Sequence, residues 1–244
     1  TKLSHLHFPS TEEAGKRIIA MGEVAQNVHM TGCPASDVLL RTRPMSFSEL
    51  KKKIIPLVRK EEWKKQFTKD FFLFVYHPVT TEFASLEKQF TKTLTALKKF
   101  PNSFMVLWPN IDAGSEQLMQ ALKQFEREEG ARIGFFDNFS LDTYANIVRH
   151  ARVIIGNSSS GIREACYFGT PVVNIGSRQK GRERTRNTID VDDNTKEVIA
   201  AIKQQLAHGK HEPEYRYGSG GAGLHIAEIL ATVPLGNVQK RITI

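Results

Sequence analysis

The sequence predicts an α/β protein in which helices cover a parallel β-sheet. Short apolar runs, such as residues 71–78 (FFLFVYHP) and 103–110 (SFMVLWPN), each end in a polar turn. A stretch with helical periodicity follows each turn, as in residues 84–100 and 114–130. This repetition of strand, turn and helix is typical of parallel sheets, because two parallel strands need a crossover connection that is usually a helix.

Composition restricts the classes of protein that fit. The chain has 244 residues, of which 40% are apolar, which is enough for a sizeable core. No segment approaches the roughly 20 apolar residues that cross a bilayer, and the first residues lack the order of a signal peptide, so we expect a cytoplasmic protein without a membrane partner. Two cysteines without metal-ligand spacing indicate neither a disulfide framework nor a metal site, and no cofactor is expected.

The first 69 residues predict two segments ahead of the main repeat. Residues 1–40 contain a strand-like piece ending at Phe8, a helix opened by residues 9–11, and a second short strand at 27–32. Because this is too little for a domain, we expect residues 1–40 to be the remnant of a larger N-terminal domain. Residues 41–69 are basic and helical in character, and we interpret them as a solvated linker.

The remaining strands and helices are predicted between residues 70 and 235, with residues 236–244 as a tail. Residues 133–136 (IGFF) form a further short apolar run. Two more runs, residues 151–157 and 170–176, flank a helix that we predict to begin near Gly161.

Polar side chains follow several of these apolar runs. They are His77, Asn110 with Asp112, residues 157–160, and Arg178. Ligands of open parallel sheets bind beyond the carboxyl ends of the strands, so these residues are expected on one edge.

The loop GNSSSG at residues 156–161 suggests an anion site. Ser158 and Ser159 precede a helix, where unpaired N–H groups favour a phosphate, and the carboxylate of Glu164 is placed to accept hydrogen bonds from a ribose diol. The loop alone is explained better by a serine N-cap with Glu164 as its capping-box partner. The next strand exit shifts the balance to a nucleotide diphosphate, because residues 178–186 contain five basic side chains. The pattern is neither a Walker loop nor a dinucleotide fingerprint.

Several longer motifs resemble a known family. HPVTTE, PNIDAGS, GNSSSGIREACYFGTPVVNIGSRQKGRE and YGSGGAG, together with KLSHLHF and TGCPASDVLL, are similar to hydrolysing UDP-N-acetylglucosamine 2-epimerases, which make N-acetylmannosamine for sialic acid biosynthesis. The resemblance implies the two-domain glycosyltransferase-B-type fold with two Rossmann-like halves. The chain resembles the end of the first half and all of the second.

The resemblance also implies roles for individual residues. His7 matches an active-site histidine, whereas Ser158 and Ser159 match phosphate-binding serines. Glu164 matches a ribose-binding glutamate and Arg178 an arginine of the UDP site, and His77 and Asn110 match the rim of the cleft. The implied partners are UDP-N-acetylglucosamine and UDP, with a homo-oligomer at full length.

The implied reaction removes the C2 proton of the sugar, eliminates UDP to give a 2-acetamidoglucal, and adds water with inversion at C2. The family's acidic catalytic residues lie in the first domain, and no segment here matches them. We therefore expect this polypeptide by itself to bind UDP with little or no turnover. The exact amino sugar is left open, N-acetylglucosamine or a 2,4-diacetamido relative.

Two other classes of function stay open at this stage. One is a non-hydrolysing epimerase or a glycosyltransferase of the same fold. The other is a non-catalytic UDP-sugar-binding module, or a basic surface for nucleic acid; the net charge of +8 allows an anionic partner of any of these kinds. Nucleic acid ranks low, because the basic stretches lack interleaved aromatic residues. The late YGSGGAG is interpreted as a loop-to-helix junction in preference to a second anion site.

Overall fold

The computed structural model describes residues 1–234 and 239–240. They form two compact units, one of Arg43–Glu214 and one of Thr1–Thr42 with the described residues from Tyr215 onward. The strands are β1 (Phe72–Val75), β2 (Phe104–Leu107), β3 (Ile133–Phe136), β4 (Val153–Gly156), β5 (Val172–Ile175) and β6 (Thr188–Val191). The helices are α1 (Glu12–Ala20), α2 (Pro34–Arg41), α3 (Phe47–Ile54), α4 (Glu61–Gln66), α5 (Leu86–Leu97), α6 (Ser115–Glu129), α7 (Leu141–His150), α8 (Ser159–Arg163), α9 (Thr195–His208) and α10 (Ala222–Thr232).

The larger unit contains one sheet with the strand order β3-β2-β1-β4-β5-β6. Every pair of neighbouring strands is parallel, so the predicted α/β class is confirmed. β1 and β4 lie in the middle and are fully buried, as expected for strands covered on both faces. All carboxyl ends of a parallel sheet meet at one edge, which brings the exits of β2, β1, β4 and β5 side by side.

Two apolar cores cover the two faces of this sheet. One core joins alternate strand residues such as Phe72 and Phe74 to α5, α6 and α9. The other joins Leu73 and Val75 to α3, α4 and α7. This alternation follows from the two-residue period of a strand, which points successive side chains to opposite faces.

Residues 43–69 pack into the second core, which differs from the solvated linker that the charges suggested. Trp63 and Phe67 are completely buried, with ring centroids 4.6 Å apart. The Trp63 indole N–H donates to the Phe104 carbonyl oxygen at 3.0 Å. Lys52 and Lys53 of α3 and Lys65 of α4 are exposed on the other faces of these helices, so charge content concealed an amphipathic pattern.

The smaller unit contains α1, α2 and α10. Thr11 caps α1 by accepting from the Ala14 N–H at 3.3 Å, as its sequence indicated. The two predicted strands reduce to one parallel bridge between His7 and Val28. Residues 215–232 group with this unit, whereas the sequence division placed them in the 70–235 domain. The tail predicted at residues 236–244 lies largely outside the described residues.

A carboxylate of the same unit accepts hydrogen bonds from the start of α10, directly after the glycine-rich segment. The Asp37 side chain accepts from the backbone N–H groups of Ala222 at 3.0 Å and Gly223 at 2.8 Å. These are first-turn donors of α10 that would otherwise be unpaired. Asp37 thus occupies the position that an external anion would take, which agrees with a loop-to-helix junction.

Within residues 1–234 and 239–240, no helix combines the length and the apolarity that crossing a bilayer requires.

Candidate functional site

The exits of four adjacent strands gather most of the predicted site residues on the larger unit. His77 follows β1, Asn110 follows β2, Ser158 follows β4 and Arg178 follows β5. The sequence argument required β4 and β5 to be neighbours, and they pair through Ile154–Gly156 and Val172–Asn174.

His77 is held as a neutral imidazole. The side chain is buried, and its Nδ1 accepts from the backbone N–H of Asn110 at 3.2 Å. An Nδ1 that accepts leaves the proton on Nε2 in the neutral ring. Burial, reinforced by the nearby Arg178 cation and opposed by Asp112, lowers the pKa of His77 to about 4. At neutral pH, His77 therefore offers an Nε2–H hydrogen-bond donor and carries no charge.

Asn157 connects three of these strand exits. Its Oδ1 accepts from the His77 N–H at 2.7 Å, and its Nδ2 donates to the His77 carbonyl at 2.8 Å. Its own carbonyl accepts from Arg178 Nη1 at 3.2 Å and from Gln179 Nε2 at 2.8 Å. The Arg178 guanidinium is half-buried, and this desolvation lowers its pKa.

The serine loop opens a shorter helix than expected. α8 begins at Ser159, two residues before Gly161, and ends at Arg163, where a 3-10 turn takes over. Ser158 is the N-cap and accepts from the Ser160 N–H at 3.4 Å, so the capping interpretation holds for this serine. Ser159 is the first helical residue and is half-buried.

Glu164 lies at the end of α8, beneath the loop. Burial raises the pKa of its carboxyl, while a hydrogen bond with Ser160 and the nearby Arg163 act in the opposite direction. The Tyr144 hydroxyl also bonds to Ser160 Oγ, and burial raises the pKa of this phenol. Tyr144 was not among the predicted site residues, and a tyrosine within an amphipathic helix carries no sequence signal that distinguishes it from a core residue.

The basic cluster divides between the site and a structural bond. Arg184 Nε donates to Asp190 at 3.1 and 2.9 Å, and Arg184 Nη2 donates to the Gln179 carbonyl at 2.9 Å. This pair fixes the loop to β6, so Arg184 is already occupied. Lys180 and Arg182 are exposed. Arg178 is the member of this cluster that bonds to Asn157 at the strand exits, and the predicted fork of arginines stays a prediction.

His7 belongs to the smaller unit and is buried there. Its Nε2 lies 3.0 Å from Glu23 Oε2, and Lys240 also bonds to that carboxylate. Hydrogen bonds from Lys240 and then His7 lower the pKa of Glu23. Glu23 is a further partner that the sequence motif KLSHLHF did not indicate. Among the described residues, no cluster of three or more potential metal ligands occurs.

Comparison with protein families gives the family of this chain. The family model for UDP-N-acetylglucosamine 2-epimerase matches residues 1–231. The chain belongs to this family. The 2-epimerase family, as a class that includes hydrolysing and non-hydrolysing members, and the glycosyltransferase-B-like α/β fold are therefore confirmed.

Individual relatives support the same assignment. The chain is 29% identical to the UDP-N-acetylglucosamine 2-epimerase of Neisseria meningitidis serogroup B, over 99% of the chain and 62% of the relative. It is 30% identical to the UDP-N,N'-diacetylbacillosamine 2-epimerase (hydrolyzing) of Legionella pneumophila, over 96% of the chain and 59% of the relative. The family member described here thus spans about three fifths of the length of these curated relatives.

A solved structure gives the same fold. The Methanocaldococcus jannaschii UDP-GlcNAc 2-epimerase, crystallised in complex with UDP-GlcNAc and UDP, superposes with a TM-score of 0.72 at 17% identity. The match covers 93% of the present chain and 61% of the other.

Proposed function

We propose that this chain carries the UDP-binding part of a hydrolysing 2-epimerase that acts on UDP-N-acetylglucosamine or a closely related UDP-amino sugar. The observation that carries the proposal is the convergence of His77, Asn110, Ser158 and Arg178 at adjacent strand exits of a parallel sheet. Open α/β sheets bind nucleotides at this edge. The family match supplies the class of reaction.

The groups at this edge suit a diphosphate leaving group. When the bond between sugar C1 and the β-phosphate oxygen breaks, the electron pair stays on UDP and the negative charge there increases. Hydroxyls of Ser158 and Ser159, the guanidinium of Arg178 and the Nε2–H of His77 are donors for those oxygens. Fixed donors at developing charge typically contribute about 3 kcal/mol each to barrier reduction. Glu164, as an acceptor, is assigned to the ribose hydroxyls.

The base that removes the C2 proton is not assigned to the strand exits. His77 is unsuited to the role of general base, because its Nδ1 lone pair already accepts from the Asn110 N–H and a pKa of about 4 makes the ring a weak base. For His7 we retain a catalytic assignment as a proposal, with Glu23 holding the imidazole through Nε2. A hydrogen bond to a carboxylate fixes the tautomer and orientation of such a ring.

Titration with UDP by calorimetry tests the binding proposal. The Ser159→Ala, Arg178→Ala double variant should lose at least about tenfold in affinity, because charge-assisted donors to phosphate are removed. The matched control is Ser103→Ala, Arg152→Ala, which changes the same residue types at the opposite ends of β2 and β4. The control should bind UDP as the parent does. A folded parent that does not bind UDP would contradict the proposal.

Product analysis tests the hydrolysing assignment, for which the name of the Legionella relative is the support. Because little turnover is expected of this polypeptide by itself, it is incubated at high concentration and for long times with UDP-N-acetylglucosamine in oxygen-labelled water. A hydrolysing enzyme releases UDP and free N-acetylmannosamine with the label at C1. A non-hydrolysing epimerase yields UDP-N-acetylmannosamine reversibly and without label, and this product would exclude the assignment. Light scattering of the full-length enzyme tests the proposed homo-oligomer.

A further inference from the structure

The amide of Asn157 lies beside the proposed binding groups and is not one of them. Its side chain is buried, with 1% of its surface exposed. It follows β4 directly and precedes Ser158, so it lies between the central sheet and the serine loop. A buried primary amide is costly unless its donors and acceptor are paired.

All four polar functions of Asn157 are engaged. Its N–H donates to the Val75 carbonyl at 3.1 Å, which extends the β1–β4 ladder. Its side-chain amide makes two hydrogen bonds to the backbone of His77, as a second strand would do. Its carbonyl receives donors from Arg178 and Gln179.

These bonds set the positions of two groups that differ in chemistry. Fixing the His77 backbone places the His77 ring so that Nδ1 meets the Asn110 N–H. The Asn157 carbonyl accepts from Arg178 Nη1, which holds the guanidinium next to the residue that precedes Ser158. We assign the side chain no direct contact with a ligand, because it is buried and its oxygen and one of its two N–H donors already bond to the His77 backbone.

We propose that Asn157 is a positioning residue, which fixes the His77 ring and the Arg178 guanidinium in the geometry that receives the diphosphate. This inference rests on the proposed function for its ligand, whereas its structural part concerns the ligand-free protein. Gln179 supports the same junction from the β5 side, through its 2.8 Å bond to the Asn157 carbonyl.

The principal variant is Asn157→Leu, which keeps the branched shape and removes both amide functions without changing charge. The matched control is Asn146→Leu. Asn146 is equally buried and its amide also bridges backbone groups, bonding Met45 N–H at 2.8 Å and the Arg43 carbonyl at 3.1 Å. Both variants lose stability, so a comparison between them separates positioning from general destabilisation.

Two measurements are made on each protein. Nitrogen NMR of the histidine rings, with His77 assigned through a His77→Gln variant, reports its tautomer without ligand. Calorimetry reports UDP affinity. In the parent and in Asn146→Leu, His77 should show the Nε2–H tautomer and UDP should bind equally. In Asn157→Leu, the ring should become a mixture of tautomers, and the dissociation constant for UDP should rise by about tenfold or more.

Gln179→Met covers the case in which Asn157→Leu does not fold. The Gln179 side-chain oxygen has no hydrogen-bond partner within the described residues, so the substitution removes the single bond to Asn157. UDP affinity should fall by about threefold, with the His77 tautomer retained.

An unchanged His77 tautomer and unchanged UDP affinity in Asn157→Leu would overturn the inference. Without a folded Asn157→Leu, unchanged UDP affinity in Gln179→Met would do so. If the parent itself failed to bind UDP, the proposed function would fall, and the tautomer of His77 would still decide whether Asn157 positions that ring.

Discussion

Two loops in this chain carry the same sequence signal and use it differently. Residues 156–161 contain the start of α8 and residues 217–223 contain the start of α10, and both segments are rich in glycine and serine. The first donors of α10 are taken by the Asp37 carboxylate. At α8 the cap is the neutral Ser158 hydroxyl, and the adjoining Asn157 bonds to Arg178. The loop before α10 is structural, because an internal anion takes the first donors of the helix. The start of α8 has a neutral cap and a nearby arginine, which suits an external anion.

The largest predicted effect concerns the glycines of the two loops. Gly156 has φ of +130°, and a Cβ there would lie 2.0 Å from the Val75 carbonyl oxygen. Gly156→Ala should therefore lower the free energy of unfolding by about 3 kcal/mol or more. Gly221 has φ of +80° and open space around it, so Gly221→Ala should cost only about 1 kcal/mol. Urea denaturation measures the free energy of unfolding of both variants. Similar losses in the two would show that the Val75 carbonyl does not restrict the residue at position 156.

The next effect is a pH dependence of stability that arises from His77, next to the loop at residues 156–161. The folded pKa of His77 is about 4 against 6.5 in the unfolded chain, so the unfolded state binds the proton first as pH falls. Stability contributed by neutral His77 is thus lost between about pH 6.5 and pH 4, at up to about 1.4 kcal/mol per pH unit.

The variant His77→Gln should remove this component from a series of denaturation curves. The matched control is His225→Gln at an exposed position within α10, and this variant should keep the His77 component. Equal slopes in the parent and in His77→Gln would contradict burial of a neutral imidazole at position 77.

A smaller effect is expected at the α10 loop. Asp37→Asn keeps the shape and removes the charge opposite two N–H donors, so stability should fall by about 1 kcal/mol. Inorganic phosphate should then raise the melting temperature of Asp37→Asn more than that of the parent, because the helix start has lost its internal anion. Identical responses to phosphate would show that the carboxylate does not take the place of an external anion.

The fold was predictable where burial gave an uninterrupted apolar signal. The runs that predicted β1 to β5 are the buried strands. β6 was missed because Thr188 and Asp190 alternate with apolar residues on a half-buried edge strand, which resembles a polar loop. The packing of residues 43–69 into the second core was also missed, because the many lysines of residues 51–67 suggested a solvated linker.

The sequence predicted which residues lie at the candidate site, but it did not predict the hydrogen bonds between them. A parallel sheet places strand exits together, so His77 and Arg178 followed from pattern alone. The bonds from Asn157 to His77 span 80 residues, and no local spacing encodes them. The capture of Arg184 by Asp190 likewise depends on the path of β6. The neutral state of His77 depends on burial, which becomes known only when the sheet is assembled.

The smallest predicted change in stability has the opposite sign to that of Asp37→Asn. Glu164 has a raised pKa because its carboxyl is buried. Its stabilising contribution is therefore present below about pH 4.5 and lost as pH rises through the folded pKa. Glu164→Gln carries no charge at any pH, so it should be more stable than the parent at pH 7, by less than about 1 kcal/mol, and closer to the parent at pH 4.5.

The affinity of Glu164→Gln for UDP should fall nonetheless, because Gln offers one acceptor oxygen to the ribose diol where the carboxylate offers two. Denaturation at the two pH values and calorimetry with UDP measure these changes. A carboxylate that lowers stability and strengthens UDP binding has a role in ligand binding, whereas Asp37 has a role in the fold. If Glu164→Gln lost both stability and UDP affinity, Glu164 would also have a structural role.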